Sequence, residues 1–234
     1  MQVDESLTQT FYATRTKRAV NEGDAEEKMA IEVGWSSLAT QQAAYTCAAD
    51  LLGLDWSRVR SVLDVGCGYG HFSDFLRSNK GFAGTYTGIE ILSDFVDAAD
   101  SIYGSDSSNH FIAGNVLEHD WKHARYDIVV SLGVLSVNQD QPALYGQKSM
   151  DYAEAVIRLM SLLSTRGMCL YFPNESHYSP ENMAKNPAMA FYAPDFIETT
   201  FRQSVQTGIS DFSIESYPDP NNVRTMAKVL LDTS

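Results

Sequence analysis

At 234 residues, 44% hydrophobic and 11% aromatic, the chain is long enough for one generous domain and too short for two ordinary ones. A formal net charge of −13 and a pI near 4.7 set the surface against polyanions, so nucleic acid is not an expected partner and small, uncharged or cationic molecules suit it better. No run approaches the roughly eighteen apolar residues of a membrane span, and "MQVDESLTQT" lacks the basic end and apolar middle of a signal peptide, so a cytoplasmic chain with no membrane partner is expected.

The first thirty residues, polar and charged with "FYATR" as their anchor, are expected to form a mobile cap, and residues 31–234 the domain proper. Within that cap, "TRTKR" (14–18) is the chain's basic cluster and reads as solvated cations on a helix. From Glu26 to Leu54 apolar residues recur at helical spacing, as in "LATQQAAYTCAADLLGL", and Gly53 with Asp55 supplies a stop, which predicts one helix leading into the first strand. "SVLDVGCGYGHF" (61–72) is then an apolar strand that ends at an acid and a run of glycines.

Beyond it the pattern alternates. "HFSDFLRSN" (71–79) reads as helix, "GTYTGIEIL" (84–92) as strand, "SDFVDAADSIYG" (93–104) as helix and "NHFIAGNV" (109–116) as strand. "YDIVVSLGVLSV" (126–137) is a strongly apolar strand and "SMDYAEAVIRLMSLLS" (149–164) an amphipathic helix that Gly167 is expected to end. "MCLYFP" (168–173) is a fifth strand, "PDFIETTFRQSV" (194–205) a helix, and "DFSIESYP" with "VRTMAKVLL" two strands joined by the turn-rich "DPNN" (219–222). This order predicts an α/β fold with a parallel sheet covered on both faces and a closing antiparallel hairpin. Cys47, Cys67 and Cys169 are widely spaced, with no CxxC pair or nearby histidine, and read as buried small residues with no metal site.

In an open parallel sheet, ligands bind outside the carboxyl ends of the strands, and the first strand's exit loop is the usual cradle. "DVGCGYG" (64–70) lets the backbone turn tightly and lets a ligand approach amides that a β-carbon would block. A dinucleotide loop would need a small residue at position 71, where His71 stands, and a phosphate loop would need a lysine that "GHFS" lacks. Asp64 would repel a pyrophosphate but suits a ligand that carries an ammonium and a sulfonium. Glu90, at the end of the second strand, can accept hydrogen bonds from both hydroxyls of an unphosphorylated ribose. Asn115 offers an adenine edge one donor and one acceptor, and Ile91 and Val116 can sandwich the ring.

Taken together, "VLDVGCGYG", "YTGIE", "FIAGNV" and "YDIVVSLGVL" resemble the class I S-adenosylmethionine-dependent methyltransferases over roughly residues 30–174. The resemblance implies a Rossmann-like seven-stranded, mostly parallel sheet with helices on both faces and a C-terminal antiparallel hairpin. It also implies S-adenosylmethionine as cofactor, held at Asp64, Gly66, Gly68, Glu90, Asn115 and Ser131; many members have aspartate where this chain has Asn115. Methyl transfer needs a positioned nucleophile and at most removal of its proton. The polar candidates above strands four and five are Asn138, Tyr171, Asn174 and His177, with His177 a possible base and Tyr171 equally a core residue. Phe11, Tyr12, Trp35, Tyr178, Phe191 and Tyr192 are rings that can close a dry pocket, Tyr12 being a candidate cofactor contact from the cap.

The expected function is methylation of oxygen or nitrogen on a small metabolite. One alternative uses the same cofactor differently: a nucleophile attacks its aminocarboxypropyl carbon and releases methylthioadenosine, as in azetidine-2-carboxylate synthases. Another is a catalytically silent methyltransferase-like subunit that stabilises a partner.

Overall fold

The computed structural model describes residues 5–20, 22–140, 147–219 and 222–232. Seven strands form one sheet: β1 (Ser61–Val65), β2 (Thr85–Glu90), β3 (Asn109–Ala113), β4 (Tyr126–Ser131), β5 (Ser164–Phe172), β6 (Ile209–Asp219) and β7 (Asn222–Leu231). Their order is β3-β2-β1-β4-β5-β7-β6. The first five strands run parallel, and β7 lies antiparallel to both β5 and β6. The chain leaves β1 in one direction through β2 and β3, then returns to place β4 on the other side of β1. The carboxyl ends of β1 and β4 therefore flank the switch point where such sheets bind ligands.

Both faces are buried because successive side chains of each strand point oppositely. Leu63, Val65, Val129, Leu170 and Phe172 pack on one face with α6 (Gln147–Leu163) and α8 (Pro194–Ser204). Val62, Ile128, Val130, Cys169 and Tyr171 pack on the other with α3 (Leu38–Leu52) and α4 (His71–Lys80). Near-continuous apolar strands such as "IVV" in β4 are what a doubly covered sheet requires. α5 (Ser93–Tyr103) joins β2 to β3, and the short α7 (Pro180–Ala184) follows β5. All three cysteines are free thiols. Among the described residues, no helix is long and apolar enough to cross a membrane.

Three expectations are corrected, and a fourth falls outside the described residues. The single helix over 26–54 is two, α2 (Ala25–Glu32) and α3, because Ser37 and Thr40 form a reciprocal capping box that starts a new helix despite unbroken apolar spacing. The break puts Gly34 and Trp35 at the rim of the sheet. The apolar run 126–137 is strand only to Ser131, then a single 3-10 turn over Val134–Ser136. Gly167 does not end a helix: it lies inside β5, where a Cβ would come 2.9 Å from Leu230 Cδ2 of β7. The expected turn at 219–222 includes Pro220 and Asn221, which lie outside the described residues.

The N-terminal segment contains a helix, α1 (Glu5–Ala19). Phe11 is buried, the Tyr12 ring meets Phe95 of α5 edge-on at 5.9 Å, and Arg15 Nη1 donates to Gly34 O at 2.9 Å. These contacts hold α1 across the mouth of the β1–β4 crevice.

Candidate functional site

The loop after β1 is fixed by its own backbone. The N–H groups of Gly66 and Cys67 both donate to Ile89 O, at 2.8 and 3.2 Å, which ties the loop to the end of β2. Gly66, Gly68 and Gly70 all have positive φ, between 53° and 78°. Neighbouring side chains also leave no room for a Cβ there. It would run into Val134 Cγ2 at Gly66, lie 2.8 Å from Val33 Cγ1 at Gly68, and lie 2.6 Å from Phe111 Cε1 at Gly70. Gly66 and Gly68 line the crevice, whereas Gly70 lets α4 pack on β3.

Two acids face this loop. Glu90 accepts from Gly68 N–H at 3.2 Å through Oε2 and from Leu92 N–H at 3.1 Å through Oε1, so one carboxylate clamps the glycine loop to the turn before α5. Burial pushes its pKa up, and the backbone donors pull it back. Asp64 accepts from the Tyr86 hydroxyl through Oδ2, while its Oδ1 is buried without a hydrogen-bond partner among the described residues. Burial raises the Asp64 carboxyl to about 7; the Tyr86 bond opposes the shift and the charge of Glu90 adds to it. An unpartnered buried carboxylate oxygen is costly, and a cation placed there relieves the cost.

Two hollows open at these acids and a third adjoins them. The first, about 50 Å³, is lined by Glu90, Ile91, Asn115, Val116, Gln139 and Tyr12 among others. The second, about 30 Å³, takes in Asp64, Gly66, Gly68, Glu90, Tyr12 and Trp35. The third, about 180 Å³, lies beyond Tyr12 and Trp35 and is walled by Tyr171, Arg15, Arg18 and Arg224. Tyr12 borders all three. Its phenol is held neutral, because burial raises its pKa and the charge of Glu90 raises it further, with Arg15 opposing.

The profile of the family described as methyltransferase domain matches residues 58–209, well over half of the chain. The chain belongs to that methyltransferase family. Members take their methyl group from S-adenosylmethionine. The sheet of this methyltransferase, with its reversed β7, is the Rossmann-like class I architecture. Among solved structures it is similar to magnesium protoporphyrin IX methyltransferase from Synechocystis PCC 6803, determined with S-adenosylhomocysteine. That likeness has a TM-score of 0.66 at 16% identity and covers 98% of this chain and 100% of the other. It is also similar to the N-methyltransferase NodS of Bradyrhizobium japonicum WM9, likewise bound to S-adenosylhomocysteine, with a TM-score of 0.59 at 12% identity, covering 94% and 98%. A search of the curated proteins gives no match.

The crevice of the methyltransferase fits an adenosyl sulfonium by its donor set. Tyr12, Asp64, Gly66, Gly68, Glu90, Ile91, Asn115 and Val116 all line the first two hollows. Ser131 does not. It is fully buried at the end of β4, with Oγ unpartnered among the described residues, and lines none of the three hollows. Asn115 already accepts from Leu117 N–H at 3.0 Å through Oδ1, which leaves its amide nitrogen and one lone pair of that oxygen. The same hollow holds a further acceptor, Gln139, whose Oε1 is buried and unpartnered among the described residues. Sequence reading missed it, because nothing local marks a glutamine after β4.

Of the catalytic candidates, Tyr171 alone borders a hollow, the third. Asn138 is a structural clamp: Nδ2 donates to Pro187 O at 2.9 Å, and Oδ1 accepts from Asp140 N–H at 2.9 Å and Ser149 Oγ at 3.1 Å. Asn174 caps the turn 175–177 by accepting from Ser176. His177 is exposed, with Nε2 2.9 Å from Ser216 Oγ of β6, so it cannot serve as base from where it stands. Of the expected rings, Phe11, Tyr12 and Trp35 border the third hollow; Tyr178, Phe191 and Tyr192 do not. Among the described residues, no group of three or more His, Cys, Asp or Glu could hold a metal ion.

Proposed function

We propose that this methyltransferase is a cytoplasmic enzyme that transfers the methyl group of S-adenosylmethionine to an oxygen or nitrogen of a separate small molecule. The observation that carries the reading is the third hollow. It shares Tyr12, Val33, Trp35, Leu132 and Gly133 with the hollow at Asp64, so a second molecule there abuts the cofactor. A reaction confined to the cofactor itself has no use for such a space, and a silent subunit has no use for the acids and glycines of the crevice. Three free cysteines agree with a reducing compartment.

In this reading Glu90 holds the ribose hydroxyls, Asp64 Oδ1 faces the ammonium, Ile91 and Val116 flank the adenine, and Asn115 and Gln139 meet its edge. When bound, the sulfonium supplies an already activated methyl carbon. What remains for the chain is positioning and exclusion of water. Tyr12 and Trp35 set ring surfaces at the junction of the two sites, where a cationic sulfur is favoured. Among the described residues no carboxylate or imidazole lines the third hollow, so in this reading the acceptor atom either arrives as a neutral amine or loses its proton to solvent. Residues 1–30 act as a cap through α1. All three hollows are smaller than the 300 Å³ or so at which ligand pockets begin and Tyr12 borders each, so in this reading Tyr12 swings aside to admit both ligands.

Separating the nucleosides after incubation tests the reading. With cofactor alone the expected result is no turnover, and with a mixture of small phenols, amines and aromatic acids it is S-adenosylhomocysteine. Methylthioadenosine from cofactor alone would contradict methyl transfer and favour intramolecular closure.

A further inference from the structure

We propose that the chain carries a second small-molecule site, for an amine borne on a hydroxylated ring, in a fourth cavity walled by α2, α3, α4 and α5. The proposal goes beyond the methyl-transfer reading and does not rest on it. The cavity measures about 200 Å³ and is lined by Met29, Gln41, Tyr45, His71, Phe75 and Tyr103 among others. Of its lining residues, Tyr45 alone also borders a hollow of the crevice, the one at Asp64. A cavity of about 150 Å³ already takes a benzene ring, so this one has room for a ring and a short tail.

The four helices give its two ends opposite characters. Tyr45 is buried and Phe75 half-buried, their ring centroids 5.7 Å apart, and Met29 and Tyr103 extend the same wall. At the mouth stand Glu26, from the first turn of α2, and Asp74, from the first turn of α4, both exposed. Both carboxylates reach the Tyr103 phenol of α5: burial raises its pKa to about 12, and the charges of Asp74 and Glu26 add to the rise. Each acid faces the positive end of its own helix, but that preference does not require the two to meet over one cavity. Asp74 accepts from Ser78 Oγ at 3.2 Å, and neither acid is ion-paired among the described residues. In a chain of 30 acidic against 17 basic residues, such a mouth draws a cation, and the face of the Tyr103 ring favours one too.

The buried end holds polar atoms in need of partners. Gln41 is 1% exposed, and its Nε2 has no hydrogen-bond partner among the described residues, although the side chain lies near the Tyr45 hydroxyl and opposes the rise of its pKa. His71 Nδ1 is likewise buried and unpartnered among the described residues. Burial lowers the His71 pKa, with the charge of Asp74 opposing, so the ring is neutral at pH 8 and keeps a lone pair. Unmade hydrogen bonds at buried atoms are costly. A phenolic hydroxyl accepts from the Gln41 amide and donates to Nδ1 of the Nε2–H tautomer, which satisfies both. The hydroxyl then sits at the buried end, the ring against Phe75 and Tyr103, and the ammonium between Glu26 and Asp74.

Ligand-observed NMR with the full chain at pH 8 tests this. The probes are tyramine, its neutral analogue 2-(4-hydroxyphenyl)ethanol, and 2-phenylethylamine, which lacks the ring hydroxyl. Tyramine is expected to bind at least fivefold more tightly than either, a modest factor because the acids at the mouth are solvated. Glu26→Gln combined with Asp74→Asn is expected to erase the preference over the alcohol, and Gln41→Leu the preference over 2-phenylethylamine. Ile102→Lys, at an exposed position of the same lining, is expected to weaken tyramine tenfold or more. Asp64→Asn, in the neighbouring hollow, is expected to leave its affinity within twofold. The variants at the mouth are expected to melt within a few degrees of the native chain, which shows that they fold. Failure of tyramine to bind, equal binding of the alcohol, or a preference that survives loss of both acids would overturn the proposal. So would tyramine binding that is lost in Asp64→Asn alone, which would place the amine in the crevice. None of these outcomes bears on whether the crevice takes S-adenosylmethionine.

Discussion

Replacing Glu90 with glutamine is expected to lower the affinity for S-adenosylmethionine by a hundredfold or more. An ionised carboxylate that accepts from two ribose hydroxyls makes charge-assisted bonds of about 1.5–3 kcal/mol each. Glutamine keeps one acceptor oxygen and turns the other into a donor. Both present oxygens already face backbone donors, Gly68 N–H at 3.2 Å and Leu92 N–H at 3.1 Å, so the new NH₂ must oppose an N–H on one side or the other. The loss therefore has two sources, a weaker grip on the sugar and a loosened glycine loop. Calorimetric titration of the variant measures the first, and urea unfolding the second, expected at about 1 kcal/mol. An affinity within threefold of the native value would mean that Glu90 is only the clamp of the loop.

Asp64→Asn is expected to stabilise the free protein while nearly abolishing cofactor binding. The native carboxyl is raised to about 7, against an unfolded value of about 3.9. A raised pKa favours the folded state fully below the unfolded value, and that advantage is lost as pH climbs through the folded value. Ionised Asp64 is thus a burden on the unliganded protein at pH 8, by a few kcal/mol at most, and asparagine lifts it. The excess melting temperature of the variant should grow from pH 4 to pH 7 and level off above. Binding runs the other way. A cofactor ammonium favours the carboxylate, so native affinity should fall about tenfold per pH unit below 7, while the variant binds weakly at every pH. A variant that melts below the native protein at pH 8, or a native affinity that does not change between pH 5.5 and 8, would refute this role for Asp64.

The pairing of buried acid and glycine loop explains how much of the site was legible in sequence. Asp64, Gly66 and Gly68 lie within five residues of one strand end, and Glu90 closes the next strand, so their convergence follows from alternation of strand and helix alone. A parallel sheet closed by an antiparallel hairpin was legible for the same reason, whereas the seven-stranded form was what the resemblance implied and the strand order is seen in the structure. The residues beyond the cofactor crevice depend on where loops travel. Asn138 and His177 follow strands four and five as expected, yet one is consumed by Pro187, Asp140 and Ser149 and the other leans on β6. Arg15 was visible only as part of a basic run, and Arg224 not at all, because their meeting is set by the β5–β7 register and by the seat of α1. The helix break at Ser37 was hidden by apolar spacing that continues across it; the local signal was the serine–threonine capping pair. Gly167 misled because a glycine after a helical run stops it in most contexts, whereas here Leu230 occupies the space a side chain would need.

The central claim is that the crevice between β1 and β4 takes an adenosyl sulfonium held at its sugar by Glu90. Calorimetric titration of the native chain with S-adenosylmethionine, S-adenosylhomocysteine and NAD at pH 8 tests it most directly. Saturable one-to-one heat from both adenosyl compounds and none from NAD is the expected result. Binding of NAD with no heat from either adenosyl compound would contradict it.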